Sequence, residues 1–175
     1  MKLRKLVITA TVLVSVMLSA IAYASPSASI LYNEQDLGNG SYQYDYIFNN
    51  TSTTGESLFK VFFYFDQLSE TTGSPLPTGW VGTVWTGTNT NTFLNTMALN
   101  QNYYIAPGDS LGGFSFTIDY QLGNSDFIAE FKNDQGTKFA FSGTTSPVAP
   151  EPVSTVLFLI GGATLGVRTY LKRMK

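Results

Sequence analysis

Hydrophobic residues recur at every second position through the middle of the chain. In SYQYDYIF, residues 41–48, aromatic side chains alternate with mostly polar ones, and LGGFSFTIDY, residues 111–120, repeats the pattern. Alternation with a period of two residues is typical of β-strands that bury one face. The run FKVFFYF, residues 59–65, is largely apolar on both faces and therefore predicts a central strand.

Turn-forming residues separate these runs. Asn39-Gly40 is a favoured two-residue hairpin turn, and Asn133-Asp134 followed by Gly136 predicts a second hairpin. No window between residues 25 and 149 keeps a helical period. We therefore predict about eight strands. They fall near residues 28–33, 41–49, 58–66, 80–86, 101–105, 111–121, 126–132 and 137–142.

This series of short strands predicts an all-β fold, an antiparallel β-sandwich of either immunoglobulin-like or jelly-roll type over residues 25–142. The Thr- and Asn-rich run 86–96 is interpreted as a flexible exposed loop. Residues 143–149, GTTSPVA, are mostly polar and contain a proline, so we predict a linker there.

Residues 1–24 have the three parts of a secretory signal peptide. Three basic residues stand within the first five positions, an apolar run extends to Ile21, and small residues follow at Ala22 and Ala24. This order predicts cleavage by signal peptidase before Ser25 and export of the chain. An uncleaved signal anchor is the alternative.

A second apolar segment lies at the C-terminus. A charge-free run extends from Val153 to Val167. Tyr170 and Leu171 continue the apolar segment past Arg168, which can snorkel toward the headgroups, to about the 20 residues that a transmembrane helix needs. Residues 168–175 form a basic tail, whose cations are Arg168, Lys172, Arg173 and Lys175. Positive charge resists translocation, which predicts a cytoplasmic tail, a membrane segment over about 153–171 and a domain outside the cytoplasm.

Pro150, Glu151 and Pro152 directly precede this segment. Two prolines around one residue hold the backbone extended, which is the conformation that a protease active site accepts. The arrangement of residues 150–175 closely resembles the PEP-CTERM sorting signal. The resemblance implies processing by an exosortase, a membrane-embedded cysteine-type transpeptidase that cuts near the tripeptide and releases or transfers its substrate to the surface of a Gram-negative bacterium. An ordinary single-span anchor with a rigid stalk is the alternative.

Charge and composition exclude several classes of function. The segment 25–149 has three lysines and 11 of the 12 acidic residues, a formal charge of −8, which is a poor match for nucleic acid. The chain has no cysteine and no histidine. Disulfides, cysteine-ligated metals and histidine-based catalytic triads are therefore excluded.

Trp80 and Trp85 are the candidate ligand-binding residues of the middle segment. They lie in GWVGTVWTGTNTNTF among glycine, threonine and asparagine, a setting that suits an aromatic sugar-binding surface. The alternative is that both tryptophans belong to the core.

Metal binding and catalysis have weaker signals. Asp126 and Asp134 lie in acidic loops that a sandwich edge would have to bring together to hold calcium, but no calcium-loop motif is present. Most acidic residues fall in turns or on outward strand positions, which is typical of a solvated surface and not of a glycosidase carboxylate pair. We expect no cofactor, no metal and no enzymatic activity.

These observations predict an exported, non-catalytic protein of the cell surface or extracellular matrix, made as an inner-membrane-anchored precursor. Its expected role is structural or interacting, in a polysaccharide matrix or biofilm, with exosortase and signal peptidase as processing enzymes and exopolysaccharide as a candidate partner. A polysaccharide-binding module with exposed aromatic residues is the alternative, and a carboxylate-based hydrolase is the third reading.

Overall fold

The computed structural model describes residues 25–149. The signal peptide with Ala22 and Ala24, the motif 150–152, the membrane segment 153–171 and the basic tail lie outside the described residues. Across residues 25–149 the structure contains no helix with the length and hydropathy that a bilayer crossing requires.

The described part of the chain is built from nine β-strands and one short 3-10 helix, which confirms the predicted all-β fold. The strands are β1 (Ala28–Gly38), β2 (Ser41–Asn50), β3 (Ser57–Gly73), β4 (Trp80–Val81), β5 (Gly87–Ala98), β6 (Ser110–Ile118), β7 (Asp126–Lys132), β8 (Lys138–Thr144) and β9 (Ser146–Pro147). The 3-10 helix is Gln101–Tyr103.

Strand β3 is the central strand, as its apolar residues on both faces predict. Hydrogen bonds join the strands in the order β4-β5-β3-β6-β2-β1-β9, and β7 pairs with β3 and β8. The first half of β3 lies between β5 and β7, whereas its second half lies between β5 and β6. The β3–β5 register shifts between Tyr64 and Ser69, where this pair bends from one layer into the other.

Two layers result from this bend. The front layer contains β8, β7, the first half of β3, the second half of β5 and β4, and the back layer contains the remaining strands. Side chains from the two layers meet between them: the ring centroids of Tyr46 and Phe63 are 4.6 Å apart, and those of Phe48 and Trp80 are 6.1 Å apart. The fold is a largely antiparallel sandwich, with one parallel pair at β1 and β9.

Aromatic side chains dominate the space between the layers. Phe48 of β2 and Phe114 of β6 stack with ring centroids 3.9 Å apart and planes 13° apart. Tyr46 and Phe116 stack beside them at 5.6 Å. All four are buried, and each such ring stabilises the fold by about 1.5–3 kcal/mol through loss of contact with water.

Both predicted hairpins are present. Asn39 and Gly40 connect β1 to β2 with φ values of 55° and 78°, the left-handed geometry of a two-residue turn that follows strand twist. The turn between β7 and β8 has Gly136 at φ 81° and is held by the Asn133 side chain, which accepts a hydrogen bond from the Thr137 N–H at 2.8 Å.

The interpretation of residues 86–96 as a loop is wrong, because most of them belong to β5. This strand pairs with both halves of β3. It buries Leu94, Thr96 and Ala98, and the β-branched threonines of this run suit a strand. The polar composition of this run suggested a loop, because the strand buries side chains only near its C-terminal end.

Two of the predicted strands are also revised. Within 80–86 only Trp80–Val81 is a strand, and within 101–105 the chain forms the 3-10 helix instead. The Asn100 side chain caps that helix, since its carbonyl oxygen accepts a hydrogen bond from the Asn102 N–H at 3.0 Å.

Residues 143–149 do not form a free linker. Strand β9 lies parallel to β1, and the Val148 N–H donates to the Tyr32 carbonyl at 2.9 Å. Thr145 is buried, and its hydroxyl oxygen accepts a hydrogen bond from the Ser125 N–H at 2.9 Å. The folded domain therefore continues past the predicted boundary at residue 142, because backbone pairing with β1 holds the polar segment.

Candidate functional site

The outward surface of the front layer is the candidate site. Strand register sets its side chains in rows that cross β8, β7, β3, β5 and β4. We call this surface the outer face. Its rows are Lys138 and Lys132; Ala140, Glu130, Lys60, Met97 and Val81; Ser142, Ile128, Phe62 and Asn95; and Thr144, Asp126, Tyr64 and Phe93.

A β-bulge brings the aromatic residues of β3 to this surface. The pairing of β3 with β7 shifts between Leu58 and Lys60, and both Leu58 and Phe59 are buried. The extra residue resets the alternation, so Lys60, Phe62 and Tyr64 point outward while the residues between them enter the core.

Three aromatic rings lie next to one another on the outer face. Phe62 and Tyr64 stack with ring centroids 6.4 Å apart and planes 18° apart. Phe93 is the direct cross-strand partner of Tyr64. Tyr64 is 45% exposed, and Phe62 and Phe93 are partly exposed. This group of rings offers an apolar surface that soluble proteins normally place in the core.

A groove of about 470 Å³ runs beside these rings. Tyr64 and Ile128 line one part of it, and the polar residues Asp126, Ser142 and Thr144 line another. The Thr144 hydroxyl donates to Asp126 Oδ1 at 3.0 Å. The groove thus combines an aromatic wall with hydroxyl and carboxylate groups that can pair with hydroxyl groups of a ligand.

A second pocket of about 470 Å³ lies at the opposite end of the domain, around residues 102–111. Tyr103 and Asp109 line it, and Trp80 contributes to its wall. The Trp80 Nε1–H donates to the Tyr103 carbonyl at 3.2 Å, so the indole is held by the loop. No stack of exposed rings is formed there by these residues.

Trp80 and Trp85 are not an exposed sugar-binding platform. Trp80 is 5% exposed and Trp85 is 0% exposed. Trp85 packs edge-on against Phe116, with centroids 5.6 Å apart and planes 89° apart, and its Nε1–H donates to the Ser115 carbonyl at 3.1 Å. The interpretation of this pair as a glycan-binding surface is wrong, and the alternative that both are core residues is confirmed. Both indoles are covered because they lie in the core cluster, where each packs edge-on against Phe114.

Carboxylates are dispersed among the pockets. Four pockets within residues 25–149 contain one acidic side chain each: Asp109, Asp126, Glu34 and Asp134. Glu34 is engaged in structure, since its two oxygens accept hydrogen bonds from the Tyr44 hydroxyl and from Gln121 Nε2, each at 2.6 Å. None of these pockets brings together the two carboxylates that glycoside hydrolysis uses.

The two acidic loops that we considered for calcium are also kept apart. Asp126 begins β7, and Asp134 lies in the turn after its other end. Among the residues that the structure describes, no group of three or more acidic side chains forms a metal-binding cluster. The sandwich places these aspartates at opposite ends of the β7–β8 hairpin.

The aromatic group on the outer face is absent from the sequence-based candidates. Phe62 and Tyr64 are recognised from the sequence only as the second apolar face of a central strand. Phe93 falls in the run interpreted as a loop. The available signal was the excess of aromatic residues on both faces of β3, because a sandwich strand needs only one apolar face.

No protein-family model matches the chain, and no curated protein matches it. Solved structures do match at low sequence identity. An uncharacterised protein from Nocardia farcinica with an immunoglobulin-like fold is 16% identical with a TM-score of 0.48, over 71% of this chain and 91% of that one.

Two further matches are modules or parts of larger proteins. A GH20 exo-β-N-acetylglucosaminidase from Vibrio harveyi is 12% identical with a TM-score of 0.39, over 73% of this chain and 19% of the enzyme chain. A cohesin module from a family 33 glycoside hydrolase of Clostridium perfringens is 11% identical with a TM-score of 0.39, over 71% of this chain and 97% of the module. No activity follows from similarities at this level.

Proposed function

We propose that the protein is an exported, non-catalytic β-sandwich that binds polysaccharide through its outer face. The observation that carries this proposal is the exposed group of rings formed by Phe62, Tyr64 and Phe93 beside a polar groove. The proposal keeps the polysaccharide-binding function considered from the sequence, but moves it from the two buried tryptophans to the front layer.

Sugar chemistry suits this surface. The C–H faces of a pyranose ring are apolar and pack on aromatic rings, while its hydroxyl groups need donors and acceptors at the rim. Phe62 and Tyr64 supply nearly parallel rings, 18° apart. Ser142, Thr144 and Asp126 supply the polar groups in the adjacent groove. A flat apolar face without the polar groove would suit a hydrophobic protein partner better.

The cellular setting of the proposal comes from the terminal segments. Residues 1–24 direct export, and residues 150–175 direct membrane retention followed by exosortase processing at the motif formed by Pro150, Glu151 and Pro152. The mature protein then acts at the cell surface or in the extracellular matrix, with a structural role in polysaccharide or biofilm. We propose a non-catalytic role because binding needs only the rings and the groove, whereas hydrolysis needs paired carboxylates.

Retention of the protein by matrix polysaccharide tests the binding function. The full-length sequence, its Phe62→Ala/Tyr64→Ala variant and a Leu37→Ala control are expressed, purified and run in gels that contain polysaccharide extracted from the host matrix. Leu37 is 47% exposed on β1, in the back layer, so its replacement removes exposed apolar surface away from the outer face.

We expect the double variant to bind at least about tenfold more weakly, because each ring contributes about 0.5–1.5 kcal/mol beyond its buried area. The Leu37→Ala control is expected to bind like the unaltered protein. Unchanged retention of a double variant that melts cooperatively would refute the assignment of the site. Capture of the protein by other envelope proteins and not by polysaccharide would refute the function.

Mass spectrometry of the C-terminus of the mature protein tests the processing step. We expect the chain from native cells to end near residues 150–152, and the precursor to accumulate in a strain without exosortase. Recovery of the uncut chain as the sole species would exclude this route and leave a permanently anchored protein.

A further inference from the structure

Every lysine of the described domain lies on the outer face. The segment 25–149 contains Lys60, Lys132 and Lys138 and no arginine. Strand register places Lys132 directly opposite Lys138, and Lys60 in the next row, between Glu130 of β7 and Met97 of β5. The same face includes two acidic residues, Glu130 and Asp126. Nine other acidic residues belong to the segment, and one of them, Asp134 in the turn between β7 and β8, lines a pocket together with Lys132.

The lysines stand beside the aromatic rings. Lys60 Nζ lies 4.1 Å from the centroid of the Phe62 ring, and Lys138 Nζ lies 5.7 Å from that of the buried Phe59. A cation next to an exposed ring creates a surface that pairs with a ligand having both an apolar face and a negative charge. This combination is found at one end of the outer face, while the polar groove is at the other.

The pairing of Lys132 with Lys138 has a cost for the free protein. Like charges directly opposite each other on an antiparallel pair repel, and this repulsion destabilises the hairpin. An anion bound between the two ammonium groups removes the repulsion. The remaining surface is acidic and repels anions, so an anionic ligand is guided to this face alone.

We propose that the outer face selects acidic polysaccharide, whose carboxylate groups pair with Lys132, Lys138 and Lys60 while its sugar rings pack on Phe62 and Tyr64. This inference rests on the proposed polysaccharide-binding function and adds its ligand class. The occupant is argued from charge complementarity within a domain of net charge −8. That same net charge disfavours nucleic acid, which has one charge per phosphate and requires clustered basic residues over a longer surface.

The test compares one polymer with and without its charge. Host matrix polysaccharide is used in its native form and after chemical reduction of its uronic acid carboxyl groups to neutral alcohols, which leaves the backbone intact. The full-length protein is compared with a Lys132→Gln/Lys138→Gln variant. Both proteins have the same basic C-terminal tail, so its contribution cancels whenever that tail is present.

A control matches the change in net charge. Gln35→Glu/Thr53→Asp also lowers the net charge by two, at exposed positions of β1 and of the loop after β2, off the outer face. We expect the unaltered protein and this control to prefer the native polymer. The lysine variant is expected to lose about two- to fivefold in affinity for each lysine removed, and to bind the reduced polymer as the unaltered protein does.

Two further results are expected if the inference is right. Sodium chloride at about 1 M, where the screening length is about 3 Å, abolishes the preference for the native polymer. Lys132→Gln alone melts at the same temperature as the unaltered protein or higher, because it removes the repulsion across the hairpin.

The contrary outcomes are separable. Equal binding of native and reduced polymer, still weakened by Phe62→Ala/Tyr64→Ala, overturns the charge selection and leaves the proposed function intact. No retention by either polymer overturns both. Binding of DNA with the same dependence on Lys132 and Lys138 overturns the choice of polysaccharide as the ligand. Concentration-dependent dimers that the lysine variant abolishes would assign the face to a second copy of the chain instead.

Discussion

Tyr44 and Tyr46 occupy successive inward positions of β2, yet their hydroxyl groups have different surroundings. The Tyr44 hydroxyl donates to Glu34 and accepts hydrogen bonds from the N–H groups of Leu122 and Gly123 at 2.8 and 2.9 Å. The Tyr46 hydroxyl is buried without a hydrogen bond in the described structure. At the scale of the residue, the Tyr44 hydroxyl therefore holds the loop at residues 122–123, whereas the Tyr46 side chain only fills space in the core.

The two tyrosines therefore respond oppositely to loss of the hydroxyl. We expect Tyr44→Phe to lower the free energy of unfolding by about 1–3 kcal/mol, because two backbone N–H groups lose their acceptor. Tyr46→Phe is expected to leave stability unchanged or to raise it by up to about 1 kcal/mol, since an unpaired buried hydroxyl is removed. Urea denaturation of both variants measures the difference. Equal losses in the two would contradict this account.

At the scale of the element, backbone pairing decides the state of segments whose composition is polar. Strand β5 is rich in threonine and asparagine, and β9 follows a stretch that reads as a linker. Each becomes a strand because its backbone forms hydrogen bonds with a neighbouring strand. Strand β5 pairs with β3, and β9 pairs with β1. The partner lies far away in the sequence, so a local pattern does not reveal it.

Thr145 provides the test for the second of these segments. Thr145→Val keeps the shape of the side chain but deprives the buried Ser125 N–H of its acceptor, so we expect a loss of about 1–3 kcal/mol in unfolding free energy. Thr92→Val, at an exposed position of β5, is the matched control and is expected to change stability by less than about 0.5 kcal/mol. A Thr145→Val variant as stable as the control would mean that residues 145–148 are not part of the folded domain.

At the scale of the whole molecule, the C-terminal end of the described domain and the basic row lie at opposite ends of the sandwich. Strand β9 runs parallel to β1, so the chain leaves the domain toward the end that contains the Asn39-Gly40 turn. The Lys132–Lys138 pair adjoins the turn of the other hairpin, at the opposite end. In the membrane-anchored precursor that we propose, the basic row therefore points away from the attachment point, toward the proposed polysaccharide ligand.

The buried tyrosines also determine how the whole molecule responds to alkali. Burial and the hydrogen bond to Glu34 raise the pKa of Tyr44 above 10.0. Burial likewise raises the pKa of Tyr46 above 10.0. A raised pKa means that the folded state favours the neutral phenol. The stability that each tyrosine contributes is therefore complete below about pH 10, and it is lost as the pH rises through the pKa of the folded state.

We therefore expect the melting temperature to fall steeply above about pH 10, with tyrosinate absorbance appearing together with unfolding. Thermal melts between about pH 8 and pH 11.5 measure this dependence. A Tyr44→Phe/Tyr46→Phe variant, although less stable at neutral pH, is expected to show a shallower decline. A melting temperature of the unaltered protein that stays level through this range would refute the argument.

The sequence predicts most of the fold and little of the site. Period-two alternation and the Asn39-Gly40 turn identify β2, β6, β7 and β8 within about three residues of their observed bounds, because these strands each bury one face against the core. Strands β1 and β3 are also identified, but they extend past residues 33 and 66, where their predicted ranges end, to Gly38 and Gly73. The candidate site depends on which strand faces remain exposed to solvent after the two layers pack. Trp85 and Tyr64 are both large aromatic residues, and no local pattern separates the buried one from the exposed one.

By itself, the amino-acid sequence determined the all-β class, the central place of β3, both hairpins and the acidic character of the domain. These properties depend on side-chain alternation, turn conformation and charge, all of which act between near neighbours in the chain. Only the tertiary structure decided that the tryptophans are core residues and that the rings of β3 and β5 share one face with all three lysines. That arrangement depends on strand register and on the bulge at Phe59, which bring together residues about 70 positions apart, and such pairings are fixed only when the layers pack.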